Sequence, residues 1–126
     1  MKQSISTSKA PAAIGTYSQA ISSGQTIYVS GQIPLNPDSM DMVGEDIGSQ
    51  INQVLDNLTA ILETAGSSID NVLKFTVFLT DLGNFGRVNE IMAERLTEPY
   101  PARLVIEVSA LPKGAKVEID AIATHI

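Results

Sequence analysis

The chain has no cysteine and no tryptophan, and His125 is its only histidine. Without cysteine there are no disulfides, thiolate nucleophiles or thiolate zinc sites. One histidine is too few for a multi-histidine metal centre, and no sensible partner exists for a Ser-His hydrolase. Aromatic residues make up 5%, so base-stacking platforms are scarce and the core falls to Ile, Val, Leu and Ala. No apolar run reaches membrane-spanning length, which leaves a soluble cytoplasmic protein as the simplest expectation. No Lys/Arg cluster relieves a net charge of −6, so the average field repels phosphate backbones and nucleic acid is a poor partner. A single local cation can still hold a small anion, because short-range hydrogen bonds outweigh a screened distant field.

What is present fits one domain, residues 1–126, with 44% apolar and 17% charged residues and enough chain for a real core. The polar segment from Met1 to Ala10 carries no apolar pattern. Thr26 to Ile33 is β-rich, and with Ile21 and its neighbours across the Ser22-Ser23-Gly24-Gln25 turn it predicts an early hairpin. Met40 to Gly44 reads as loop. From Glu45 the period becomes helical: Ile47, Ile51, Val54, Leu55, Leu58, Ile61, Leu62 and Ala65 share one face, and Gly66 stops the helix. Val72 to Leu79 reads as a buried strand with Leu73, Phe75, Val77 and Leu79 on one face. A second helix, capped by Asp81 or Asn84, runs to about Leu96 along Phe85, Val88, Met92 and Leu96. Strands at Arg103 to Val108 and Lys116 to Thr124 complete the order β, β, α, β, α, β, β, with Leu111 to Ala115 read as the turn of a terminal hairpin. The expected architecture is α+β, a mixed sheet with both helices on one face. Apolar residues on both faces of two strands then require self-association to cover the second face.

The terminal hairpin concentrates the chemistry. Alternation puts Arg103, Val105 and Glu107 on one face of their strand and sets Glu118 with Lys116 and Asp120 on one face of the next. A tight turn would bring Glu118 near Glu107 and set Arg103 toward the far end of its strand; the arginine and the carboxylate are nonetheless candidates to converge on a small anion. Arg103 reads either as a bidentate clamp on a carboxylate or as a surface ion pair with a glutamate, and composition alone favours the pair. Glu118 reads either as a partner of Lys113 or Lys116 or as a carboxylate that moves a proton, given partial burial. Tyr17 offers a phenolic hydrogen bond or a half-buried core ring. At Ser30-Gly31-Gln32 the glycine marks close approach of a ligand or backbone, or a bulge. Asn89 is helix surface or a hydrogen bond to a site, and His125 is a frayed residue.

Several segments together resemble the RidA/YjgF family. They are Lys9-Ala10-Pro11-Ala12-Ala13-Ile14-Gly15-Thr16-Tyr17-Ser18-Gln19-Ala20, Val29-Ser30-Gly31-Gln32-Ile33-Pro34, Val77-Phe78-Leu79-Thr80-Asp81-Leu82, Phe85-Gly86-Arg87-Val88-Asn89, Pro101-Ala102-Arg103, and Leu111-Pro112-Lys113-Gly114 through Val117-Glu118-Ile119. The likeness spans nearly the whole chain in the family's order. It implies a chorismate-mutase-like α+β fold assembled as a homotrimer, with ligand clefts between subunits. It also implies hydrolysis of enamine/imine intermediates, such as 2-aminoacrylate and related 2-imino acids, to 2-oxo acids and ammonia, with no cofactor and no metal. Arg103 matches the carboxylate-binding arginine and Glu118 the glutamate associated with the attacking water. Tyr17, Ser30, Gly31, Asn89 and the backbone of Val105 match positions lining the cleft. Leu104, Val105, Met92, Thr16 and the short Leu96–Tyr100 loop depart from the family's usual residues and bear on substrate range. Two other readings stand beside this one. The first is a non-catalytic trimer that binds 2-oxo acids or similar carboxylates as a sensor or regulator. The second is a ribonuclease or translation inhibitor, which the acidic composition and the lack of a histidine acid/base pair make the weakest.

Overall fold

The computed structural model describes residues 1–126. Its elements follow the order β1 (Lys2–Ile5), β2 (Ala20–Ser23), β3 (Thr26–Gln32), α1 (Ile47–Thr64), β4 (Val72–Leu79), α2 (Phe85–Arg95), β5 (Ala102–Glu107) and β6 (Val117–Thr124). The six strands form one sheet in the order β1-β2-β3-β6-β4-β5. Only the β4/β5 pair is parallel, and helix α2 makes the crossover that a parallel pair requires.

Helix α1 starts where Asp46 turns its side chain back to accept from the Ser49 amide at 2.9 Å. It stops in a Schellman arrangement: Gly66 sits at φ 83°, its amide donating to the Glu63 carbonyl at 3.1 Å and the Ser67 amide to the Leu62 carbonyl at 2.9 Å. Between the caps, Ile51, Val54, Leu55, Leu58, Ile61 and Leu62 are fully buried against the sheet. Helix α2 lies beside α1, buries Val88, Ile91 and Met92, and is tied across by Arg95, which reaches Asp56 Oδ1 at 2.7 Å and the Asn52 carbonyl at 3.0 Å. Asp81 caps only the short turn at Leu82–Asn84, and Asn84 supplies no side-chain cap to α2.

The terminal hairpin does not form. β6 inserts between β3 and β4, and β5 pairs with β4 alone. Val117, Ile119, Ala121 and Ala123 all bury under the helices, so β6 belongs at the centre of the sheet. β5 has only Val105 partly buried against the core and suits an edge. The Leu111–Ala115 segment, with Lys113 at φ 57°, carries the chain past β4 rather than closing a two-stranded turn. Glu118 and Glu107 are accordingly not neighbours, since β4 separates them. Two smaller expectations also change. A register shift between Val72 and Lys74 buries Val72 and leaves Leu73 52% exposed. Lys2–Ile5, which has one apolar residue to announce it, is a strand held by pairing with β2.

Both helices cover one face, as expected. The other face is bare and carries Ile21, Tyr28, Phe78, Leu104, Ile106 and Ile122; Tyr28 and Leu104 are 51% and 47% exposed.

Candidate functional site

Arg103 enters β5 opposite Phe75 and so projects on the helix side of the sheet. Its Nη1 donates to Asn89 Oδ1 at 2.6 Å and lies 3.8 Å from Met92 Sδ, while the guanidinium carbon stands 5.2 Å from the centre of the Phe85 ring. The protein's ion pairs are Arg87–Glu90 and Arg95–Asp56. Arg103 thus has no carboxylate partner, and its Nη2 and Nε make no hydrogen bond. The Phe85 ring and Asn89 hold the guanidinium in place, and Nη2 and Nε remain free to donate to a ligand. Beside it opens a cavity of about 480 Å³ with Phe75, Met92, Leu96 and Tyr100 as apolar walls and Asn89 and Arg103 as its polar groups. Val105, two residues along on the same face, packs partly against the core. Its backbone runs along the edge of the sheet.

Glu118 lies on the opposite, helix-free face of β6, in register with Phe78. Burial raises its carboxyl above the ordinary value of 4.5, and the neighbouring Asp120 charge adds to the effect. Neither lysine considered as a partner pairs with it; Lys116 Nζ donates instead to the Glu45 carbonyl at 2.7 Å. The carboxylate rests directly over Gly31: a Cβ there would overlap Oε2 and lie 3.0 Å from Cδ. The same glycine sits in a register shift between Val29 and Gln32, so close approach and bulge occur together. Beside it Ser30 Oγ donates to the Ser18 carbonyl at 2.6 Å and the Ser30 amide to the Gln19 carbonyl at 2.9 Å. Tyr17 is 52% exposed, not a core ring, and its hydroxyl accepts from the Ile14 amide at 3.2 Å. Tyr17, Tyr28, Ser30 and Lys2 border a second cavity, of about 420 Å³.

Buried Gln19 holds the loop that presents Tyr17. Its Oε1 accepts from the Thr7 amide at 2.6 Å, and its Nε2 donates to the Thr7, Ala10 and Pro11 carbonyls at 3.0, 3.3 and 2.8 Å. Its role was missed in the sequence because an isolated glutamine between Ser18 and Ala20 carries no periodic signal. Phe85 was read only as part of a helix face, and Met92 as helix face and as a departure bearing on substrate range; both lie against Arg103. His125 is not frayed: its Nε2 lies 2.9 Å from Ser22 Oγ.

The expected convergence of Arg103 and Glu118 does not occur within one chain. Arg103, Asn89 and Val105 gather on the helix side at the β5 edge. Tyr17, Ser30, Gly31 and Glu118 gather on the bare side around β3 and β6. β5 and β6 are two strand spacings apart, about 10 Å, with the sheet itself between the two side chains. No group of His, Cys, Asp and Glu side chains is arranged to hold a metal ion, and no helix is long and apolar enough to cross a membrane.

The sequence model of the family described as endoribonuclease L-PSP matches residues 7–125. A RutC family protein of Pyrococcus horikoshii is 49% identical over 98% of each chain. A Rattus norvegicus protein named 2-iminobutanoate/2-iminopropanoate deaminase is 50% identical over 99% of this chain and 91% of its own. The crystal structure of RidA from an Antarctic Psychrobacter superposes with a TM-score of 0.93 at 50% identity, covering 97% of this chain and 98% of that one.

Proposed function

This chain belongs to the RidA/YjgF family, and we propose that it is a cofactor-independent deaminase. In this reading it hydrolyses 2-aminoacrylate and related 2-imino acids to 2-oxo acids and ammonia, in clefts between the subunits of a homotrimer. The observation that carries the reading is the unpaired donor edge of Arg103, pre-oriented by Asn89 and Phe85. That edge matches a carboxylate bidentately, and an iminium carbon beside the carboxylate is already electrophilic.

The catalytic group is Glu118. Water bonds to C2 of the iminium while the Glu118 carboxylate takes its proton, giving a neutral carbinolamine. Glu118 returns that proton to the amine. The C–N bond then breaks to release ammonia while Glu118 accepts the proton of the remaining hydroxyl, which becomes the carbonyl; Glu118 passes that proton to the ammonia, which leaves as ammonium. The enamine enters as its imine tautomer. Burial raises the proton affinity of this carboxylate, which makes it a stronger base toward the attacking water. Tyr17 and Ser30 line the same side, and Gly31 lets the carboxylate close against the backbone.

Two half-sites on opposite faces argue for assembly. A β5 edge of one copy meeting the bare face of the next is a heterologous contact, which repeats until a ring closes, and it covers the exposed Tyr28 and Leu104. The test is release of 2-oxo acid from freshly generated 2-aminoacrylate. Arg103→Ala and Glu118→Ala each abolish acceleration over buffer. Co-refolding the two variants at equal ratio restores about a quarter of the activity, because one interface in four then joins an intact Arg103 to an intact Glu118. Full activity in Arg103→Ala sinks the reading, and failure of the mixture to recover sinks the shared site. Binding of 2-oxo acids that needs Arg103 but is never accompanied by turnover would point instead to a sensor.

A further inference from the structure

The cavity beside Arg103 exceeds what a short substrate can fill. At about 480 Å³ it lies within the roughly 300–1,000 Å³ of ordinary small-molecule sites. Its polar groups, Arg103 and Asn89, are already bonded to each other. The remaining wall is Phe75, Met92, Ala93, Leu96, Tyr100 and Pro101, whose side chains offer a ligand no further polar partner beyond the tyrosine hydroxyl. A carboxylate on the free edge of Arg103 therefore has an apolar chamber next to it. A methyl group leaves that chamber to water, while an isobutyl or benzyl group reaches Met92 and Leu96. Met92 is unbranched and adapts to either shape.

Resting on the deaminase reading above, we propose that this cavity is the side-chain pocket of the site. It selects 2-imino acids with branched or aromatic apolar side chains over the three-carbon 2-iminopropanoate, and Ala93 and Tyr100 set its limits. One methylene in an apolar pocket is worth about tenfold or more in discrimination, so the three additional carbons of 2-imino-4-methylpentanoate give at least that preference.

The experiment compares kcat/KM for the two 2-imino acids, each generated in situ from its amino acid. In parallel, calorimetry measures binding of the stable 4-methyl-2-oxopentanoate and 2-oxopropanoate to the assembled protein. The larger acid is favoured at least about tenfold in both measurements. Ala93→Phe, from the exposed side of α2, fills the pocket and brings the ratio to about one or below. Tyr100→Ala, which removes an exposed wall, lowers the ratio in the same direction and stands in if the phenylalanine variant fails to fold. Equal treatment of the two acids by the unaltered protein, or a preference that survives both substitutions, overturns the assignment even where both imino acids are hydrolysed. If neither is hydrolysed but the larger 2-oxo acid binds preferentially and loses that preference in Ala93→Phe, the pocket stands and the deaminase reading falls.

Discussion

Replacing Gly31 with alanine tests whether turnover depends on where the Glu118 carboxylate sits. Gly31 is not among the residues with positive φ, so alanine brings no backbone strain there and its effect is that of one added methyl. That methyl would overlap Glu118 Oε2 and lie 3.0 Å from Cδ and 3.3 Å from Cγ. Carbon atoms settle at about 3.5–4.0 Å, so the carboxylate has to retreat by roughly 1 Å. It is the far end of a flexible side chain and can rotate away without moving the sheet. The stability cost therefore stays near about 1 kcal/mol, the low end for overpacking, or about 4 °C in Tm for a domain of this size. A displacement of that length at a reacting group costs about a hundredfold in rate. The assay pairs kcat/KM for 2-oxo acid release in the otherwise wild-type protein with thermal melts in wild-type and Glu118→Ala backgrounds. The expected result is a large rate loss with a small loss of Tm, and no loss of Tm when the carboxylate is already absent. Wild-type kcat/KM in a folded Gly31→Ala protein refutes the placement; an equal loss of Tm in both backgrounds refutes its attribution to Glu118.

The raised proton affinity of Glu118 has a stability consequence of definite sign. The folded protein binds this proton more tightly than the unfolded chain, so the contribution is fully present below the ordinary value of 4.5 and is lost as pH rises through the raised native value. Glu118→Gln therefore increases Tm at pH 7, with the gain fading by about pH 4, and a gain of the same size at both pH values contradicts the assignment. Asp120→Asn removes the second cause of the shift and moves the acid limb of the pH–rate profile to lower pH; an unmoved limb excludes Asp120. Gln19→Ala strips partners from the Thr7 amide and the carbonyls of the loop, costing about 2–3 kcal/mol. Chemical denaturation and the rate of proteolysis between Thr7 and Ser18 measure it, and a variant unchanged in both shows that Gln19 does not hold the loop.

Faces were legible in this sequence, and neighbours were not. The α1 face could be read from Ile51 to Leu62, and its C-terminal end from Gly66, because period and glycine stops are local properties of the chain. Alternation likewise set Val117, Ile119 and Ala121 on the face opposite Glu118, and Arg103 with Val105. It carries no information on which strand lies alongside, since β3 and β4 present β6 with equally suitable partners. The hairpin failed for that reason. The bulge that exposes Leu73 comes from pairing to Ala123 and Ile122, residues about 50 positions away, and is invisible in Val72 to Leu79 read alone. Of the proposed site residues, Arg103 and Asn89 stand together, as do Ser30, Gly31 and Glu118. Their grouping into halves follows from strand order and was not accessible to period or composition.

The central place of β6 also bears on how the protein is made. It is the last of the strands to be synthesised, yet it alone joins β1-β2-β3 to β4-β5. Until it emerges from the ribosome, the nascent chain holds two separate sheets whose inner edges lack a partner. Helix α1 meanwhile has only part of the surface it will finally cover. Folding must then wait for contacts between residues nearly a hundred positions apart, such as Tyr28 with Ile122, which slows collapse to the native sheet and leaves open edges exposed to other chains. The strand that carries the Glu118 carboxylate is thus also the one whose arrival joins the nascent segments into one sheet.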